Sequence, residues 1–363
     1  MEFNINNLIK WFQLKYPSIV SKMKQSNHHF TENDLKQIEG YCDRVISINP
    51  YHQESDVFTH NMMVMLEAKK LEDKCDRNEF IHVVVAALLH DIGKPLARKV
   101  NLEKQRVHFW GHEPMSAFLA VPILSEIERD FNVSLNKRLI LEAIAMHTDV
   151  YNIPREKLED RLVNNKPLAY LLSWLSECDY AGRFFDMGDR DMEMIEPDID
   201  PTKEIGKDEK QVICLVGLPC SGKSTLVESM MLEGQEMLSR DNIVMEVAAE
   251  KGISSYNDAF KALDQKEVDK RFQKRKRELS KSDKTVWVDM TNMSRKSRRK
   301  NLRDFKDHKK SALVVMADLE VINLRNGLRP GKTIPQNVYE RMITGFQPPL
   351  YDEFDEIHWV FND

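Results

Sequence analysis

The sequence predicts two domains: an all-α domain followed by an α/β domain with a mostly parallel sheet. At 363 residues the chain is long enough for two separate cores. The first half has apolar residues at helical spacing, whereas the second half alternates β-branched runs with helical stretches. Between them, an acidic stretch with two prolines and one glycine is typical of a linker. We therefore expect domains at residues 1–190 and 210–363, joined by a linker at residues 191–209.

The helices of the first domain are predicted from three- and four-residue apolar spacing, with prolines and glycines between them. They cover residues 33–48, 56–71, 80–89, 117–131, 137–147 and 169–185. In the second domain, strands are expected near residues 211–216, 285–289, 312–316 and 357–361, with a further strand ending near Ser239. Helical stretches between these strands would cover both faces of the sheet.

Charge is balanced over the whole chain but not along it. The chain has 53 basic and 58 acidic residues, so its net charge of −5 does not suggest a nucleic-acid partner. Residues 270–310, called here the basic segment, nevertheless hold 17 Lys and Arg against 5 Asp and Glu. Such a segment is either a solvated helix face or a surface that contacts a phosphate backbone, and both interpretations remain open.

Cysteine usage and hydropathy indicate the compartment. The five cysteines show no C-x-x-C pair and no zinc-finger spacing, which fits a reducing environment. The N-terminus has no signal-peptide core, and we expect no membrane span and no membrane partner. We therefore expect a soluble, cytoplasmic protein.

Residues 217–225 read G-L-P-C-S-G-K-S-T and fit the phosphate-binding pattern G-x-x-x-x-G-K-[ST]. A predicted strand precedes the pattern and a predicted helix follows it, so backbone N–H groups and the helix N-terminus would face one polyphosphate. A glycine-rich turn that binds nothing would need neither a strand before it nor a helix after it. The pattern therefore predicts an ATP site in which Lys223 reaches the β/γ-phosphates and Ser224 contacts Mg²⁺. The predicted nucleotide-binding residues in it are Gly217, Ser221, Gly222, Lys223, Ser224 and Thr225.

Four further residues in the second domain are candidates for catalysis. Asp241 follows the second predicted strand, where it is either a general base for an attacking hydroxyl or the N-cap of the next helix. Asp289 ends the strand V-W-V-D. Arg325 and Arg329 are four residues apart, so on a helix they share a face and could close over ATP; the alternative is that they form surface salt bridges.

These phrases, together with S-R-D, V-D-M-T-N and R-N-G-L-R-P-G-K-T-I-P, resemble the phage polynucleotide 5′-kinase family over about residues 210–363. The resemblance implies that Asp241 is the general base, Asp289 an active-site carboxylate, and Arg325 and Arg329 lid residues, with Lys223 and Arg329 acting on the transferring charge. Family members often carry an Arg three residues after the base, where this chain has Val244. The candidates to hold the acceptor phosphate instead are Arg240, Arg295, Arg298 and Arg299.

Histidines and aspartates recur in the first domain in a specific order. They lie in the phrases H-Q-E-S-D-V-F-T-H at residues 52–60, L-L-H-D-I-G-K-P at 88–95, G-H-E at 111–113, M-H-T-D at 146–149 and C-D-Y-A-G-R at 178–183. A lone His-Asp pair would more often be a helix-end ion pair. Imidazole nitrogens together with a bridging carboxylate suit transition metals.

This order resembles the HD phosphohydrolase superfamily over about residues 45–185, and most nearly the HD domain of bacterial tRNA nucleotidyltransferases. The resemblance implies a first metal held by His60, His90, Asp91 and Asp179, and a second held by His112 and His147 with Asp91 bridging. The divalent ion would be Mn²⁺, Co²⁺, Ni²⁺ or Zn²⁺, and one or two could bind. Lys94 and Arg183 would lie near the phosphate, Lys94 and Asp91 taking part in catalysis.

The other histidines are less informative. His52 is expected either to contact substrate or to make a structural hydrogen bond, while His28, His29, His82 and His108 are expected to be structural or surface residues.

An HD domain ahead of such a kinase resembles bifunctional HD–polynucleotide kinase proteins of phages and bacteria. This resemblance implies healing of RNA or DNA ends before a ligase: phosphorylation of a 5′-hydroxyl with ATP and Mg²⁺, and removal of a 2′,3′-cyclic phosphate or a 2′- or 3′-phosphate. The alternative is a small-molecule kinase fused to an HD nucleotidase that acts on mononucleotides. The basic segment argues against that alternative, because a small acceptor needs no extended cationic surface.

Overall fold

The computed structural model describes residues 1–31, 34, 54, 56–101, 106–183, 194–198, 210–329 and 332–362. These residues divide into two compact units, Met1–Asp198 and Ile199–Asp363. The helix predicted at residues 33–48 (apart from Asp34), His52 and most of the predicted linker lie outside the described residues. The domain boundaries therefore stay a prediction.

The N-terminal unit is built from helices, as predicted. Its helices are α1 (Ile5–Lys15), α2 (Pro17–Gln25), α3 (Val57–Ala68), α4 (Arg77–Leu89), α5 (Lys94–Ala97), α6 (His112–Phe131), α7 (Lys137–Met146), α8 (Asp149–Asn152), α9 (Arg155–Arg161) and α10 (Lys166–Ala181). A 3₁₀ turn, Lys69–Leu71, extends α3. Helices α1 and α2 were not predicted from the sequence, although Asn4 caps α1 and Leu8 and Phe12 form its buried face.

Helix α4 is the core helix of this unit. Asp76 and Glu79 form a capping box at its start, and its residues are then buried almost continuously up to Leu89. The stretch Arg77–Ala97 is long and apolar enough to cross a membrane by length and composition alone, but 83% of its apolar window is buried inside the unit. This burial is the environment of a core helix.

A short hairpin interrupts the helices. Strands β1 (Lys99–Asn101) and β2 (Arg106–His108) pair antiparallel, with Lys99 opposite His108. Strands of three residues are too short to show an alternating pattern, so the sequence could not predict them.

The C-terminal unit is an α/β fold with a five-stranded parallel sheet, which confirms the predicted class. Its strands are β3 (Gln211–Val216), β4 (Glu236–Ser239), β5 (Val286–Asp289), β6 (Lys309–Met316) and β7 (Glu356–Phe361), in the order β4-β5-β3-β6-β7. Its helices are α11 (Lys223–Met230), α12 (Arg240–Glu250), α13 (Tyr256–Ala262), α14 (Gln265–Leu279), α15 (Arg295–Leu302), α16 (Leu319–Gly327) and α17 (Gln336–Thr344).

The register of this sheet gathers the predicted kinase residues at one edge. Strand β5 is the parallel neighbour of both β3 and β4, and Ser239 at the end of β4 is opposite Asp289 at the end of β5. The glycine loop follows β3 at that same edge. Ligands of open α/β sheets bind outside the carboxyl ends of the strands, so this edge is the place for a site.

Candidate active sites

The loop between β3 and α11 requires its two glycines. Gly217 has φ +154°, and a Cβ there would lie 2.5 Å from the carbonyl oxygen of Val315. Gly222 has φ +99°, and its Cβ would lie 2.0 Å from Nδ2 of Asn362. That Asn362 amide donates to the carbonyl of Ser221 at 2.9 Å. Larger residues at either glycine would deform the loop.

Lys223 is buried inside this loop. Its ammonium group donates to the carbonyl oxygens of Gly217 at 2.9 Å and Leu218 at 2.6 Å. Burial lowers the pKa of Lys223 to about 8, although the Asp289 carboxylate opposes that shift. A bound polyphosphate would favour the charged form. Ser224 and Thr225 are both exposed, in the first turn of α11.

Asp241 is not a helix cap. Ser239 caps α12 by accepting from the backbone N–H of Asn242, which leaves Asp241 in the first turn with its carboxylate available. This excludes the helix-cap alternative. The carboxylate accepts a hydrogen bond from Tyr256 Oη at 2.6 Å and pairs with Lys332. Burial would raise the pKa of Asp241, but the bonds from Lys332 and Tyr256 outweigh it and hold that pKa below its ordinary value.

The remaining predicted nucleotide-binding residues lie around the same loop. Burial raises the pKa of Asp289, and the nearby Lys223 ammonium counters the rise. Arg325 Nη1 donates to the carbonyl of Cys220 at 3.3 Å, and Arg329 Nη1 lies 4.0 Å from its Sγ. The two arginines thus face the phosphate loop, as the lid hypothesis requires. Their catalytic role stays a prediction.

Most of the predicted substitutes for the arginine missing at Val244 are engaged elsewhere. Arg240 pairs with Asp269 and also donates to Gln265. Arg295 is buried against Asp352. Arg298 is fully buried and donates to the carboxylate of Glu353 and to four backbone carbonyl groups. The expectation that Arg295 and Arg298 contact an acceptor phosphate is therefore wrong, because their charges stabilise the fold. Arg299 is exposed.

The predicted metal ligands of the N-terminal unit converge on one buried carboxylate. His60 lies on α3, His90 and Asp91 at the end of α4, His112 at the start of α6, His147 just after α7, and Asp179 on α10. From Asp91, Oδ2 lies 3.3 Å from His90 Nε2 and 3.6 Å from His60 Nε2. Its Oδ1 lies 3.0 Å from His112 Nε2 and 3.6 Å from His147 Nε2.

The backbone fixes the orientation of three of these rings. Nδ1 of His90, His112 and His147 lies 2.8–2.9 Å from the carbonyl oxygen three residues earlier in each case. Each Nδ1 therefore donates, and each Nε2 is directed at Asp91. Metal-bound histidines are commonly oriented by such a bond on the second nitrogen.

Two groups of ligand atoms share Asp91: one with His60 and His90, the other with His112 and His147, each within 4.8 Å. Among the described residues, His90 Nε2 is buried without a hydrogen bond, and both carboxylate oxygens of Asp91 are buried with ion-pair neighbours only. Buried polar atoms normally have partners, so these atoms and their N/O chemistry fit a divalent transition metal. Burial lowers the pKa of His90, but Asp91 and Asp179 outweigh it and raise it to about 9. A bound cation would displace that proton.

Asp179 and the two predicted cations complete the cluster. Asp179 Oδ1 lies 2.9 Å from His60 Nε2, and its Oδ2 accepts from Arg183 at 2.9 Å and from Tyr151 Oη at 3.1 Å. Lys94 Nζ lies 2.6 Å from Asp91 Oδ2. Both cations thus reach the carboxylates that would bind metal.

Three groups at this site were not predicted from the sequence. Glu54 Oε1 lies 3.0 Å from His60 Nδ1. Glu54 is part of the phrase H-Q-E-S-D-V-F-T-H, so the sequence did contain a signal for it. His28, expected to be structural or on the surface, is buried with Nε2 3.4 Å from Lys94 Nζ. No local pattern marked His28 or Tyr151.

Two protein-family models match parts of the chain that overlap the two candidate sites. A model described as an HD domain matches residues 57–172, and a model described as an AAA domain matches residues 212–349. The chain contains an HD domain and an AAA domain. The α/β architecture of the AAA domain matches the P-loop kinase fold, which implies ATP and Mg²⁺. The HD domain implies a divalent metal, and the pair supports an enzyme with kinase and phosphohydrolase activity.

Solved structures similar to part of the chain include a protein described as a kinase from Chloroflexus aurantiacus (17% identity, TM-score 0.33, 42% of this chain and 88% of that chain). A gluconokinase from Sinorhizobium meliloti is 16% identical, with a TM-score of 0.30, over 43% of this chain and 85% of its own. A sugar kinase from Janibacter sp. is 17% identical, with a TM-score of 0.28, over 42% and 85%. Likenesses this weak say nothing about the substrate. No curated protein matches the chain.

Proposed function

We propose that this protein heals broken nucleic-acid ends, RNA ends first among them. The AAA domain phosphorylates a 5′-hydroxyl with ATP, and the HD domain removes a 2′,3′-cyclic phosphate or a 2′- or 3′-phosphate, after which a nucleic-acid ligase seals the ends. We place this activity in the cytoplasm. The four described cysteines, which are free, are in keeping with a reducing compartment.

The arrangement around Asp241 supports transfer to a hydroxyl group. The lowered pKa keeps Asp241 ionised at neutral pH, and Tyr256 and Lys332 hold its carboxylate in place. As the acceptor oxygen bonds to the γ-phosphorus, its proton passes to Asp241 and the bond to the β–γ bridging oxygen breaks, releasing ADP. Lys223, Arg325 and Arg329, which contact the glycine loop, would stabilise charge on the phosphates. Mg²⁺ would neutralise further charge on those phosphates.

The exposed cations of the basic segment carry the polynucleotide part of the proposal. Three of its 17 basic residues are buried, whereas 11 are exposed. Seven of the exposed residues make no ion pair with any residue that the structure describes: Lys270, Arg277, Lys281, Lys296, Arg299, Lys300 and Lys306. A phosphate backbone would pair with such unneutralised charges, and a small acceptor would not need them.

The test is phosphorylation of a short 5′-hydroxyl RNA against an equimolar nucleoside, with ATP and Mg²⁺. We expect the RNA to be strongly preferred and its binding to weaken with salt, by about −0.7 in log K against log[salt] for each phosphate contacted. Replacing Arg277, Lys281 and Arg299 by Ala should flatten that slope by about 2. Equal phosphorylation of RNA and nucleoside would instead favour the small-molecule kinase.

A matched control uses cations that are exposed but already neutralised. Arg275 and Lys284 both pair with Glu236, at 3.2 and 2.7 Å. Replacing these two residues by Ala should change the salt slope less than the triple substitution does. If both variants change it equally, the slope reports overall charge and not a binding surface.

The HD half of the proposal depends on Asp91 and the histidines around it. These residues would hold the divalent metal, which supplies positive charge towards a phosphoryl group, while Lys94 and Arg183 offer further cations to it.

One RNA that bears both a 5′-hydroxyl and a 2′,3′-cyclic end tests whether the two domains act independently. His90→Ala should abolish release of the cyclic end and leave the kinase intact, and Lys223→Ala should do the reverse. Loss of both activities in a folded His90→Ala protein would contradict two independent sites.

A further inference from the structure

One face of the β1–β2 hairpin presents two cations and two rings. Lys99 is the antiparallel partner of His108, so their side chains lie on the same face. Arg106 is two residues before His108 on β2 and shares that face too. Burial lowers the pKa of His108, and the charges of Arg106 and Lys99 lower it further, which places both cations near the imidazole.

Trp110 follows on this side of the chain. Its indole ring is tilted by 31° against the imidazole of His108, with 4.3 Å between the ring centroids, yet Trp110 is 70% exposed. A single exposed aromatic residue is ordinary. An exposed indole beside two cations is the combination that binds single-stranded nucleic acid, since the ring stacks on a base and the cations attract the backbone. Lys99, Arg106, His108 and Trp110 are called here the hairpin face.

The chain ties the hairpin face to the metal-binding cluster. Phe109 lies between His108 and Trp110, and its carbonyl oxygen accepts the Nδ1 hydrogen bond of the predicted ligand His112 at 2.8 Å. The Phe109 ring lies 5.5 Å from both Lys94 Nζ and the His28 ring. A polynucleotide whose end reaches the cluster would therefore pass close to Trp110.

We propose that the hairpin face binds the single-stranded 3′ end of a polynucleotide, with a nucleobase stacked on Trp110 and neighbouring phosphates against Lys99 and Arg106. This inference rests on the proposed function, because it supplies the HD domain with a polynucleotide substrate. Stacking of one base on an aromatic ring corresponds to about a 5- to 150-fold gain in affinity.

The first experiment compares two cyclic phosphates with Mn²⁺ present: a short RNA ending in a 2′,3′-cyclic phosphate, and glycerol 1,2-cyclic phosphate, which has the same ring but no base. Trp110→Ala should raise KM for the RNA by about 5- to 150-fold at unchanged kcat. It should leave hydrolysis of the glycerol compound unchanged, and Trp110→Phe should restore most of the affinity. Leu14→Ala, which removes another exposed apolar side chain of this unit, is the matched control.

A binding measurement separates this inference from the proposed reaction. A short RNA blocked at its 5′ end by a fluorophore cannot serve as a kinase acceptor, so fluorescence anisotropy reports binding without catalysis. Weaker binding by Trp110→Ala, and a flatter salt dependence in Arg106→Gln, would support the hairpin face even if the HD domain cleaves neither cyclic phosphate. Wild-type affinity in Trp110→Ala, or an equal loss of activity on both cyclic phosphates, would overturn it.

Discussion

Arg298 belongs to the basic segment, but its substitution should reduce stability and not ligand binding. The side chain is completely buried. Its Nε and Nη2 donate to the carboxylate of Glu353 at 3.1 and 2.6 Å, and Nη1 donates to the carbonyl of Gln347 at 2.8 Å. In Arg298→Ala, the buried Glu353 carboxylate and the Gln347 carbonyl would lose these hydrogen-bond donors.

The loss of stability in Arg298→Ala depends on which cations remain near Glu353. Removing one partner of a buried ion pair typically costs about 3–5 kcal/mol of the free energy of unfolding. Arg295 Nη1 still lies 3.5 Å from Glu353, so the carboxylate keeps a nearby cation. We therefore expect Arg298→Ala to cost about 3 kcal/mol, which lowers the melting temperature of a domain of this size by about 6–12 °C.

Differential scanning calorimetry can measure this shift. The AAA domain transition is the one that ATP and Mg²⁺ raise, because a ligand stabilises the domain that binds it. Arg299→Ala is the matched control: it removes the same charge one residue further on, where the side chain is exposed, and should change stability by less than about 0.5 kcal/mol. An Arg298→Ala protein that melts like the wild type but binds RNA more weakly would refute the buried network.

Three more predictions concern the two sites. Tyr256→Phe removes a hydrogen bond to an ionised group and should lower kcat of the kinase by about 10- to 150-fold, with little change in the KM for ATP, in steady-state assays. Because burial lowers the pKa of Lys223 to about 8, this lysine is charged below pH 8 and loses its charge above it. Calorimetric ATP affinity should therefore be full below pH 8 and fall by up to about tenfold per pH unit above it, whereas Lys223→Met should bind weakly without this dependence. His112→Ala should lower the metal content measured by elemental analysis, and His82→Ala should not; equal metal content in both would remove His112 from the ligand set.

The sequence by itself determined the class of each domain and the local motifs. The glycine loop between β3 and α11 could be predicted because contiguous residues specify both the turn and its flanks. The strands of the sheet were recognisable from their apolar runs, and the predicted metal ligands around His90 and Asp91 from the resemblance of their short motifs to the HD superfamily. Chemistry that depends on neighbours along the chain is therefore written in the sequence.

Only the tertiary structure decided which distant groups meet. Asp241 bonds to Lys332, 91 residues later, and His60 lies beside Asp179 across 119 residues. The composition of the basic segment likewise could not separate Arg298 from Arg299. Successive residues on a helix point about 100° apart, so one arginine of α15 faces the C-terminal part of the chain and the other faces solvent. What packs against the helix determines whether a charge stabilises the fold or is available to a ligand.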